Sequence, residues 1–141
     1  MVFIEYEINR RRYVEAIRNL QSLLDRKEDL FMRTQPKSVR YDTDRVQNGN
    51  LTNAIENYVI QREKLDKDIE EAKAILADRK EFLSVLETDL RRSNEIEDRI
   101  YTMRYIDRCR IRRIKRTVNY SEAQIYRILD RIKNEIKENT K

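Results

Sequence analysis

The chain has 141 residues, of which 40% are charged, with one Gly, one Pro, one Cys, no His and no Trp. That profile fits long helices and coiled coils and offers almost no strand signal. It removes the commonest general base and metal ligand, an internal disulfide, a multi-cysteine zinc site and a glycine-rich phosphate loop. An enzyme is the least expected class, and no cofactor or metal is implied. The N-terminal apolar run is too short for a signal peptide and no stretch approaches a membrane span. A soluble cytoplasmic protein is expected, with no membrane partner.

The net charge of +5 is unevenly spread. Arg99 to Lys137 holds twelve Lys/Arg and four Asp/Glu, a net of +8, so the remainder sums to −3. A basic end on a mildly acidic body points to a polyanionic partner for the last third.

In chain order, the first segment runs from about Val2 to Arg33. Tyr6, Tyr13, Ile17, Leu20, Leu24 and Phe31 fall near three-and-four spacing, which predicts one amphipathic helix. Residues 34–50 then collect the only proline and the only glycine with several Asn and Asp, which predicts a loop. Tyr41, Asp42, Asp44 and Val46 are candidates there for docking on a helix or partner.

The third segment carries the longest pattern. Leu51, Ile55, Tyr58, Arg62, Leu65, Ile69, Ala72, Leu76, Arg79, Leu83, Leu86 and Leu90 alternate by four and three without a slip. This predicts a coiled-coil seam. The first segment is placed to fold back antiparallel over part of it. Being shorter, it leaves seam for a second chain, so a homodimer is expected.

The heptad weakens at Ser93, followed by Glu95 and Glu97, which predicts a break and restart. The next helix is expected from Ile96 to about Asp107, with Ile96, Ile100, Met103 and Ile106 inward. Cys109 reads as a small helix residue.

After Arg110, Ile111, Ile114 and Val118 form a short apolar stripe. Asn119 tolerates the left-handed conformation that ends a helix, and Tyr120 is apolar enough to plug the corner. Ser121 is placed as an N-cap, with Gln124 completing a capping box. Ile125, Ile128, Leu129, Ile132 and Ile136 continue the inner face. A short helix, a tight turn and a capped second helix make the layout of a helix-turn-helix. Its second helix can enter a DNA major groove. Outward on that helix stand Glu122, Ala123, Tyr126 and Arg127, chemically suited to base edges, and further on Asp130 and Arg131. Arg110, Arg112, Arg113, Lys115 and Arg116, with Ser121 and Arg131, are the candidates for phosphate contacts.

The expected fold is therefore all-α. A long antiparallel helical hairpin occupies residues 1–92, with its loop at 34–50, and a helix-turn-helix domain occupies 93–141.

The stretch IYTMRYIDRCRIRRIKRTVNYSEAQIYRILDRI resembles the fourth region of sigma-70-type factors. "RYI" at Arg104–Ile106 and "NYSEAQIYRI" at Asn119–Ile128 carry the resemblance. The layout is similar to the ArpU-like late transcriptional regulators of Gram-positive phages and related elements. The resemblance covers roughly Met103 to Ile132 by motif and the rest by architecture. It implies a recognition helix at Ser121–Arg131, a promoter-like double-stranded DNA target and action with host RNA polymerase. The hairpin would serve as a docking surface for polymerase or a regulatory protein. No promoter-melting region is evident, so recruitment by a DNA-bound dimer is the mechanism expected. Two other classes fit the same architecture. One is a small terminase-like DNA-packaging subunit, and the other a coiled-coil adaptor or inhibitor without DNA binding.

Overall fold

The computed structural model describes residues 1–34 and 48–140, with the side chains of 34 and 48–52 outside that description. It is all helical among the described residues. The elements are α1 (Val2–Thr34), α2 (Asn48–Arg92), α3 (Ile96–Tyr101), which passes into a π-helical turn (Thr102–Ile106), α4 (Ile111–Val118) and α5 (Glu122–Asn139). Most of the loop expected at 34–50, including Tyr41, Asp42, Asp44 and Val46, lies outside the described residues. Its edges are helical, since α1 includes Thr34 and α2 begins at Asn48. None of the described helices is long and apolar enough to cross a membrane.

Packing divides the chain into two compact units, Glu15–Ala77 and Met1–Val14 with Asp78–Lys141. The expected division between 92 and 93 follows the order of helices. The grouping by packing differs from it because the first turns of α1 share a core with α3, α4 and α5.

In the unit of residues 15–77, α1 and α2 run antiparallel. Leu23, Ile69 and Ala72 are buried together, with Leu20 and Leu65 against them. Lys27 Nζ lies 2.5 Å from Asp66 Oδ1 across the pair, and this hydrogen bond holds the Asp66 carboxyl below its usual range. Of the expected α1 face, Ile17, Leu24 and Phe31 are exposed, whereas Leu23 is buried and Leu30 half-buried. Tyr6, Tyr13 and Leu20 do face inward, but the stripe takes Leu23 and Leu30 in place of Leu24 and Phe31. Adjacent leucines 23 and 24 made the register ambiguous, since neighbours on a helix point about 100° apart. On α2, Arg62 is exposed beside Asp66, so this seam position carries no buried charge.

The other unit has one core. Phe3 and Tyr6 of α1 meet Leu86 and Leu90 of α2, Ile100 and Tyr101 of α3, and the inner residues of α4 and α5. Phe3 stacks on Tyr101 at 5.5 Å between ring centroids, and Tyr6 meets the same ring edge-on at 6.0 Å. Two buried carboxylates fix this junction. Asp98 is fully buried. It accepts hydrogen bonds from the backbone N–H groups of Phe3 (3.0 Å) and Val2 (3.3 Å) and from the Ser93 hydroxyl (2.6 Å). The first amides of any helix lack intrahelical partners. For α1 they are satisfied by a residue 95 positions away, whose negative charge also suits the positive end of the helix dipole. Glu7, also buried, accepts from the Tyr101 hydroxyl and from Arg10 through both oxygens, at 3.2 and 3.1 Å.

After Tyr101 the helix widens by one residue per turn. The Asp107 N–H bonds to the Thr102 carbonyl at 2.9 Å, and the Cys109 N–H reaches the Met103 carbonyl at 2.7 Å. Arg108 takes a left-handed φ of 52°, which redirects the chain toward α4. Cys109 is therefore a buried residue of the connection and not of a helix, and Asp107 lies just past the helical turns. Arg91 grips Asp107 with two hydrogen bonds, at 2.9 and 3.3 Å, and so ties the end of α2 to this connection.

Asp98→Ala should cost about 2–4 kcal/mol, from a lost cap and buried donors left unpaired, measured by urea denaturation. A loss under half of the lower figure would mean that the α1 amides find other partners. Burial first, and then the hydrogen bond to Glu7, raises the Tyr101 phenol above its ordinary value. Its proton is thus held more tightly in the folded state, so stability is intact below the ordinary phenol pKa of about 10 and falls above it. Tyr101→Phe is expected to be less stable than the parent at pH 7. The gap should narrow as the pH rises past about 10, and a gap independent of pH would contradict the assignment.

Candidate nucleic-acid interface

α4 and α5 pack through apolar residues alone at their centre. Ile114 and Val118 from one helix and Ile125, Ile128, Leu129 and Ile132 from the other are all buried, and Ile136 is half-buried. Eight residues are too few for a helix to persist on its own. α4 therefore depends on this contact and on the core beneath it.

The turn between the helices follows the local chemistry. α4 stops because Asn119 adopts the left-handed conformation, at φ 61° and ψ 35°, with its N–H on the Lys115 carbonyl at 3.0 Å. Asn is among the few residues that adopt this conformation readily. Ser121 is extended and caps α5. Its hydroxyl oxygen accepts from the Gln124 N–H at 3.2 Å, and the Gln124 side-chain oxygen accepts from the Ser121 N–H at 3.0 Å. This closes the capping box. The arrangement is consistent with the helix-turn-helix expected here. Tyr120 does not plug the corner. It is 37% exposed, because Val118 and Ile125 already close the core on either side of it.

All eleven residues singled out for DNA contact are exposed, but they do not form one group. Glu122, Ala123, Tyr126 and Arg127 share the first turns of α5 away from the core. Arg112, Lys115 and Arg116 line an open groove on α4 together with Asn119, Tyr120 and Ser121. Arg110, the extended residue just before α4, and Arg113 are not part of that groove. The Ser121 hydroxyl is engaged in the cap. Arg131 is drawn toward α3, 3.5 Å from the Glu97 carboxylate. Sequence reasoning missed Asn119 and Tyr120 as members of the basic groove. The available signal was an aromatic residue in a polar turn directly after an Arg/Lys run.

No family model, curated protein or solved structure matches the chain.

Ser121→Ala should lower stability by about 1 kcal/mol in chemical denaturation. Asn119→Val should cost about 1–2 kcal/mol, because a β-branched residue resists the left-handed conformation, while Asn119→Gly should be tolerated. If valine were tolerated as well as glycine, the turn would have a different geometry.

Proposed function

We propose that the chain is a sequence-specific, double-stranded-DNA-binding transcriptional regulator, with α5 as the helix that enters the major groove. The observation that carries this reading is the juxtaposition at the α4–α5 turn. Exposed Ala123, Tyr126 and Arg127 on the first turns of α5 stand next to a groove lined by Arg112, Lys115 and Arg116. A recognition helix presents its N-terminal residues to base edges, while cations nearby neutralise phosphates. Arg127 suits the paired acceptors of guanine, Glu122 an amino donor of cytosine, and Ala123 or Tyr126 a thymine methyl.

The resemblance to sigma region 4 and to the ArpU-like regulators extends the proposal. The target would be promoter-like DNA of phage late genes, and the chain would act with host RNA polymerase. A homodimer formed through the hairpin would read two half-sites. Exposed Ile17, Leu24, Ile55, Val59 and Ile60 in the unit of residues 15–77 support a further protein contact there.

Selection of bound fragments from a random duplex pool should enrich a defined two-part site whose binding weakens steeply with salt. Arg127→Ala should relax the preference at one base pair per half-site, removing about 1–3 kcal/mol of discrimination. No enrichment at any salt concentration, or an Arg127→Ala variant that keeps the full preference, would count against α5 as the reading helix.

A further inference from the structure

Tyr120 has no structural duty that its position explains. The residues on either side of it point elsewhere: Asn119 makes the left-handed turn and Ser121 caps α5. The core is closed by Ile114, Val118 and Ile125 without it. Tyr120, 37% exposed, is instead one of the residues lining the open groove with Arg112, Lys115 and Arg116. A phenol hydroxyl can donate a hydrogen bond, and a groove that joins it to three basic residues suits a phosphodiester oxygen. Charge alone would also attract carboxylates. The adjacent α5 surface offers base-edge chemistry, so a nucleic-acid backbone is the anion that would occupy groove and helix together.

Resting on the DNA-binding reading above, we infer that the α4–α5 turn is itself a phosphate clamp: one DNA strand runs through the groove, with Arg112, Lys115 and Arg116 neutralising its phosphates and the Tyr120 hydroxyl donating to a phosphate oxygen. The clamp fixes the register of α5 in the major groove without reading sequence. Arg113, on the same helix but outside the groove, takes no part in it. The hydroxyl and the ammonium leave different signatures. A cation that neutralises a phosphate releases counterions, and a neutral donor does not.

The test is DNA binding by the full chain across a range of salt concentrations, read by fluorescence anisotropy. Two duplexes are used, one carrying the site enriched by the parent protein and one scrambled. Tyr120→Phe should weaken binding to both duplexes by about tenfold, the loss expected of one hydrogen bond to a charged group, with the salt slope unchanged. Lys115→Gln should reduce the slope of log affinity against log salt by about 0.9. Arg113→Gln removes the same charge outside the groove and should leave the slope as it was. The inference is overturned if Tyr120→Phe binds like the parent, or if Arg113→Gln flattens the slope as much as Lys115→Gln. A parent protein that binds neither duplex at any salt concentration would instead defeat the DNA-binding reading, and the clamp with it. All three side chains are exposed, so thermal denaturation should find the variants folded.

Discussion

The Asp98 carboxylate, buried against the first amides of α1, is the contact on which the rest of the C-terminal architecture depends. A helix that starts inside a core must find acceptors for its leading N–H groups or lose the free energy of leaving them dry. Asp98 supplies them for Val2 and Phe3, and the Ser93 hydroxyl supports it from the other side. Once α1 is anchored there, Phe3 lies on the Tyr101 ring and Glu7 is brought to the Tyr101 hydroxyl. α3 is then fixed at both ends. The π-helical turn and the left-handed Arg108 aim the chain at α4 from a rigid starting point. A strained backbone of this kind costs on the order of 1–3 kcal/mol and persists only where the surroundings hold it. Here Arg91 on Asp107 and Arg104 on the Cys109 carbonyl do so.

The candidate interface follows from that core by subtraction. The α4–α5 pair buries Ile114, Val118, Ile125, Ile128, Leu129 and Ile132 and leaves its cations in solvent, because a charge without a partner is costly to bury. What remains outside is a basic groove at the turn and a mixed polar face on α5. Glu97 shapes this surface as well, since it draws Arg131 toward α3 and away from the free face of α5. Three exposed cations, Arg112, Lys115 and Arg116, share the groove at the turn. In the proposed function, affinity and orientation come from that end of the motif and sequence preference from the helix beside it.

Local chemistry made the α4–α5 region readable. Asn119, Ser121 and Gln124 act within three or four residues of one another, so spacing alone indicates the left-handed turn and the capping box. The isoleucine period of α5 and the α2 seam from Leu65 to Leu90 are legible for the same reason, whereas Ile55 of the expected seam is exposed. Asp98 and Glu7 were not. A buried carboxylate is indistinguishable in sequence from a solvated one when its partners lie more than ninety residues away. The same distance hid the grouping of α1 with the C-terminal helices. The second half of the α1 stripe was misread because Leu23 and Leu24 both satisfy an apolar pattern, and only the opposing Ile69 and Ala72 select between them. Tyr120 was misread because an aromatic residue at a corner fits burial and exposure equally well. The choice depends on whether Val118 and Ile125 leave a gap, and they do not.

The central claim is that the start of α1 and the α4–α5 pair are one cooperative structure joined through Asp98. Native-state amide hydrogen exchange in low concentrations of urea tests it most directly. The Phe3 amide, donated to Asp98, should exchange through the same global opening as the Leu129 and Ile132 amides of α5. Their protection should fall along one line as urea is added. If Phe3 exchanges through a separate, lower-energy opening while α5 keeps its full protection, the C-terminal helices stand without the first helix. Asp98 would then be a local cap and not the keystone.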